Sequence, residues 1–148
     1  GGTFVARVRL EQVGEYLETS LGLMSGSNDI SVEELFIARQ ALEVPTVRLA
    51  AENREESHII ALRDALDRER RTGSRAIGDP DEPTFHQVLV DATGGGLIGM
   101  LTSVVYRILA SQRAADDLPA GYWSRVDDEH QAILEAVEAG DPDAAEAV

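Results

Sequence analysis

The chain of 148 residues has no cysteine, three histidines and one tryptophan, and each scarcity narrows what it can be. Without thiols there is neither a disulfide framework nor a thiolate metal site. Basic residues are short as well: 13 Lys and Arg stand against 27 Asp and Glu, a formal net charge of −14. Such a body is repelled by a polyanionic duplex, so this chain by itself is not expected to bind nucleic acid. Long hydrophobic runs are missing too. The most apolar stretch, GGGLIGMLTSVVYRILA at 94–110, carries four glycines, the hydroxyls of Thr102, Ser103 and Tyr106, and Arg107, and falls short of a bilayer span. No basic-then-apolar secretory pattern opens the chain, which is compatible with a cytoplasmic protein.

What remains is the balance of a globular domain, with 43% hydrophobic and 27% charged residues. The length suits one domain with its own core. Apolar residues recur at helical spacing nearly everywhere and two-residue alternation is scarce, so the expectation is an all-α antiparallel bundle of six to seven helices. A first helix is expected from about Leu10 to Met24, with Val13, Tyr16, Leu17 and Leu21 on one side. A second runs from the Ser31–Glu34 capping box to about Asn53 through Pro45. The third covers Glu55 to Arg71, with Ile59, Leu62 and Leu66 inward and a row of charges outward. A fourth is expected from Glu82 to Ala92, with Asp81 as N-cap and Pro83 in its first turn. Past the glycines at 94–96 comes the most apolar helix, Leu97 to Ala114, the expected bundle centre. The last long helix, Tyr122 to Ala139, ends at Gly140, and Asp141 with Pro142 opens another.

Four residues carry the candidate chemistry, Glu82, His86, His130 and Arg39. Glu82, His86 and Leu89 are spaced i, i+4, i+7, which sets His86 beside an inward stripe with Glu82 one turn away. His130 precedes Ile133, Leu134 and Val137 at core spacing. Each imidazole is open to two readings, a hydrogen-bonded core residue or a metal ligand. Arg39 lies between Leu35 and Leu42 on the buried side of the second helix; it either pairs with Glu43 at i+4 or awaits a ligand anion. His58, beside Glu55 and Glu56, reads as peripheral.

The string EELFIARQALEVPTVRLAAEN at 33–53 resembles the opening helix of the effector domain in the FadR subfamily of GntR transcription regulators, on Arg39, Glu43, Pro45 and Arg48 to Ala51. Glu82 with Phe85 and His86 resembles that family's acid-x-x-x-histidine motif, and Glu129 with His130, running to Gly140 and Asp141, its later histidine motif. The segment GGTFV resembles the last strand of the winged helix-turn-helix domain that precedes the effector domain. The resemblance implies a wing and linker remnant at 1–8 and an effector-binding and dimerisation domain at 9–148, cut at its carboxyl end and lacking its DNA-binding domain. It implies a divalent ion (zinc, nickel or manganese) on Glu82, His86 and His130, with the family's fourth ligand falling beyond Val148. This sequence has glutamate where the family usually has aspartate, and Gly95 where asparagine commonly stands. The resemblance further implies a small carboxylate effector facing Arg39, a homodimer, and DNA contact only through the missing domain. The alternatives are a metal-dependent hydrolase or lyase with Glu82 as general base, and a purely structural dimerisation bundle.

Overall fold

The helix over Val32–Asn53 starts where its sequence says it should. Ser31 is the N-cap: its hydroxyl accepts from the Glu34 amide at 3.1 Å, while the Glu34 carboxylate accepts from the Ser31 amide at 2.8 Å. Two otherwise orphaned donors are thereby satisfied reciprocally. In the computed structural model, which describes residues 9–72, 83–112 and 121–148, seven helices follow in order. They are α1 (Leu10–Gly26), α2 (Val32–Asn53), α3 (Glu56–Thr72), α4 (Phe85–Ala92), α5 (Gly96–Gln112), α6 (Tyr122–Ala139) and α7 (Pro142–Glu146). No strand occurs among the described residues. The all-α expectation holds. The expected wing strand at 1–8 lies outside the described residues.

The expected bundle centre is corrected. It is α2, not the more apolar α5, that packs against four other helices, α4, α5, α6 and α7. The reason is side-chain size: Thr46, Ala50 and Ala51 are fully buried and small, and they let neighbouring helices approach on several sides. The same helix joins two apolar clusters. Leu35 belongs to one, with Val104, Val105, Ile108 and Leu109 of α5. Val47, Ala50 and Ala51 belong to the other, with Leu62 and Leu66 of α3, Phe85 and Leu89 of α4, and Leu134 and Val137 of α6. Each large side chain among them contributes roughly 1.5–3 kcal/mol of burial. Between the clusters the Thr46 and Thr102 hydroxyls meet at 2.9 Å. The polar middle of α2, Arg39 to Thr46, therefore falls at their seam.

The start of α4 is also corrected. Thr84, not Asp81, is its N-cap: the hydroxyl accepts from the Gln87 amide at 3.3 Å and the Gln87 side chain accepts from the Thr84 amide at 2.8 Å. The tetrapeptide TFHQ is itself a capping box, and Pro83 stands before the cap because a proline steers the residue ahead of it away from helix. Glu82 lies outside the described residues. The one-turn spacing that linked it to His86 is thus not a feature of α4.

Two buried faces differ from the faces that apolar spacing outlines. On α1, Val13 and Tyr16 are exposed, Tyr16 by 71%, and the buried positions are Gly14 and Ser25, with Leu17 and Leu21 packed on the α5 cluster. Gly14 decides this rotation, since a Cβ there would stand 3.1 Å from the Met100 side chain. On α3, Glu69 is not among the outward charges; it is buried, 2% exposed. His58 is half-buried and accepts from the Glu55 amide at 3.1 Å, serving the start of α3.

At the carboxyl end, Gly140 closes α6 with φ +66°. Asp141 then caps α7, accepting from the Ala144 amide at 3.0 Å. Arg48 of α2 holds α7 in place, reaching Asp143 and Glu146 at 2.7 Å each.

Candidate functional site

Capping by Thr84 fixes the rotation of α4, and that rotation sends Phe85 into the core and His86 toward the seam of the two clusters. From α6, His130 arrives on the same stripe as Ile133, Leu134 and Val137 and is 3% exposed. The two imidazoles, 44 residues apart, meet with their Nε2 atoms at 3.3 Å and their ring planes at 89°. Each ring lies against an aromatic neighbour: Phe85 stacks on His130 with centroids 4.3 Å apart, and Tyr106 on His86 at 4.5 Å.

Behind each ring stands a carboxylate. The Glu43 Oε1 atom is 3.7 Å from His86 Nδ1, and Glu69 Oε2 is 3.7 Å from His130 Nδ1. Glu69 is also held from α4, accepting the Phe85 N–H at 2.9 Å. Both contacts are longer than a hydrogen bond, yet they set a carboxylate on the Nδ1 side of each ring while the Nε2 atoms converge, the side from which a metal-ligating imidazole is oriented. Two nitrogens on one tetrahedral ion at the usual zinc distance stand about 3.3–3.4 Å apart, so the observed spacing suits two positions of one metal shell. Among the described residues no group of three or more His, Asp or Glu is placed to hold a metal ion. Glu82, the expected third ligand, lies outside them.

Arg39 lines the same cavity, which has a volume of about 70 Å³ and is walled by His86, Tyr106, Tyr122, Trp123 and His130 among others. Of the two readings the sequence left open for its guanidinium, the pairing with Glu43 is present. The guanidinium grips both oxygens of Glu43, through Nε at 3.2 Å and Nη2 at 3.1 Å, and lies over the Tyr106 ring at 5.4 Å from the centroid. Burial would favour the neutral guanidine, but the Glu43 carboxylate outweighs it and keeps the Arg39 charge more firmly held than usual. Tyr106, not singled out from sequence, donates its hydroxyl to Glu43 Oε1 at 2.9 Å. Burial first and the Glu43 charge second push its phenol well above the ordinary range.

The geometry thus unites three of the four sequence candidates' neighbourhoods, Arg39, His86 and His130, in one cavity. It adds Glu43, Glu69 and Tyr106. Glu69 carried a readable signal, because Leu62, Leu66 and Glu69 are spaced i, i+4, i+7 on α3.

Residues 34–148 match the model of the FCD domain. The chain belongs to the FCD domain family. Over 159 aligned positions this FCD domain is 29% identical to the HTH-type transcriptional regulator LutR of Bacillus subtilis (strain 168), with 99% of the chain and 68% of that protein covered. No solved structure matches it. The all-helical architecture and the effector-domain resemblance of the 33–53 helix agree with this membership, and the FCD domain is the regulatory part of a GntR-type transcription regulator.

Proposed function

We propose that this FCD domain senses a small carboxylate metabolite in the cavity between α2, α4, α5 and α6, beside a divalent cation held by His86 and His130 with Glu82. The convergence of the two Nε2 atoms at 3.3 Å inside a cavity that also holds Arg39 carries the reading. If both Nδ1 atoms give their protons toward Glu43 and Glu69, two lone pairs face each other, and only a cation or a shared proton between them relieves the repulsion. A divalent cation there would supply a positive centre for an anionic ligand. The chain's own contribution is the shape of the cavity, the Arg39 charge on its wall and the exclusion of bulk water by Tyr122, Trp123 and Tyr106. The volume of about 70 Å³ has room for only a few waters, which favours a ligand of few heavy atoms.

Binding is transmitted as a shift between two states, each favoured by different contacts in the cavity. Because α2 carries Arg39 and Glu43 at the seam and Arg48 at the α7 clasp, movement of α2 reaches several of the other helices. A FadR-subfamily homodimer is supported by the apolar side chains left exposed on α1 and α2, Tyr16 at 71%, Leu23 at 72% and Ile37 at 59%. DNA contact belongs to a separate domain, since a net charge of −14 is unsuited to a duplex. No helix among the described residues is long and apolar enough to cross a membrane.

Calorimetric titration of zinc-loaded protein with two- to six-carbon carboxylates, followed by mass analysis of the recovered ligand, tests this reading. A regulator binds one class and returns it unchanged. Turnover would favour the metal-dependent hydrolase or lyase, and no binding at all the purely structural bundle.

A further inference from the structure

Glu69 is the most deeply buried carboxylate described, in a helix whose other charges are exposed apart from half-buried Arg68, which donates to the Pro83 carbonyl. Its residue is 2% exposed. A charge so placed is costly unless it is matched, and two described groups stand against its oxygens. One oxygen, Oε1, accepts the Phe85 N–H at 2.9 Å, the first helical amide of α4, whose partial positive charge favours an anion. The other, Oε2, faces His130 Nδ1 at 3.7 Å. Phe85 itself stacks on the His130 ring at 4.3 Å and an interplanar angle of 12°, so the same residue that anchors the carboxylate also fixes the imidazole plane.

We infer that Glu69 is a positioning residue for the cavity. By holding the proton of His130 on Nδ1, it leaves the Nε2 lone pair aimed at the point where His86 Nε2 also converges. The inference rests on the metal reading of the pair for its consequence, but not for its geometry. A plain structural role, an acceptor for the α4 amino terminus, would need only Oε1.

Glu69→Gln separates the two roles. The Phe85 N–H is a donor, so the glutamine must turn its carbonyl oxygen to it and its NH₂ to His130 Nδ1. The helix keeps its acceptor, while Nδ1 is forced to accept and the His130 proton moves to Nε2, where it blocks ligation. The side-chain volume and the acceptor for α4 are kept, so the helical fold is expected to be kept too.

Imidazole ¹⁵N spectra of the metal-free protein, with zinc titration against a competing chelator, provide the test. The wild type is expected to carry a proton on His130 Nδ1. Glu69→Gln is expected to carry it on Nε2, to keep its helical circular dichroism, and to bind zinc about ten- to a hundredfold more weakly. A wild-type His130 without an Nδ1 proton would overturn the inference, as would unchanged zinc affinity in Glu69→Gln. If the wild type binds neither zinc nor nickel, the metal reading is what fails, and the tautomer of His130 in the two proteins still decides the role of Glu69. Should the variant not fold, the wild-type spectrum alone decides it.

Discussion

Arg39 grips Glu43 with two parallel contacts of 3.2 and 3.1 Å, and this pairing, one helical turn long, sits on the wall of the cavity rather than on the protein surface. A carboxylate ligand of the kind proposed would therefore meet a guanidinium that already has an anion. Either it adds to the free edge of Arg39 or it displaces Glu43 toward His86, whose Nδ1 is 3.7 Å away.

Arg39→Ala should weaken binding of a carboxylate effector by about ten- to a hundredfold, the worth of one charge-assisted contact of roughly 1.5–3 kcal/mol. Arg39→Lys should recover only part, since an ammonium offers no matching fork. Calorimetry reads the affinities, and thermal unfolding of the same proteins separates the two roles. Equal affinities with a lowered Tm would mean that Arg39 serves only its pairing with Glu43.

Tyr106 gives the pH dependence. Its folded-state pKa is raised above the ordinary 10.0 by burial and by the Glu43 carboxylate. Below pH 10 both folded and unfolded chains keep the phenol protonated, and the group adds no slope. Above it the unfolded chain ionises first, so stability falls as pH rises. Denaturant melts across alkaline pH should show that fall, reduced in Tyr106→Phe. A Tyr106→Phe protein with the same alkaline slope as wild type would contradict the assignment.

Gly140 is required by two observations at once. Its φ is +66°, and a Cβ built on it would fall on the Arg54 guanidinium, which donates to the Ala51 carbonyl at 3.0 Å. Gly140→Ala should cost about 1–2 kcal/mol from the left-handed backbone alone, a fall in Tm of about 2–8 °C. An unchanged Tm would show that this turn relaxes freely.

The legible parts of the molecule are those set by local chemistry. The Ser31 and Glu34 box, the glycines at 94–96 with positive φ, and the Asp141 and Pro142 start of α7 were all readable, because each feature is decided within a few residues. His86 and His130 were readable as inward positions from periodicity, while their meeting rested on a family pattern. Less legible were features decided between helices. The rotation of α1 follows from Gly14 against Met100, and the buried state of Glu69 from an amide on α4; neither partner is near in sequence. The start of α4 was misjudged for a different reason. The sequence reading placed the cap at Asp81, before Pro83, and passed over Thr84, which has the reciprocating Gln87.

The most direct test of the account is a competition titration of zinc and nickel into wild type, His86→Ala and His130→Ala, with bound metal counted by elemental analysis. The account predicts one ion per wild-type chain and a loss of affinity of more than about a hundredfold in each variant, beyond what removing an outer carboxylate costs. Undiminished metal binding in both variants would contradict it, and would leave the 3.3 Å contact between His86 and His130 as a hydrogen bond of the core.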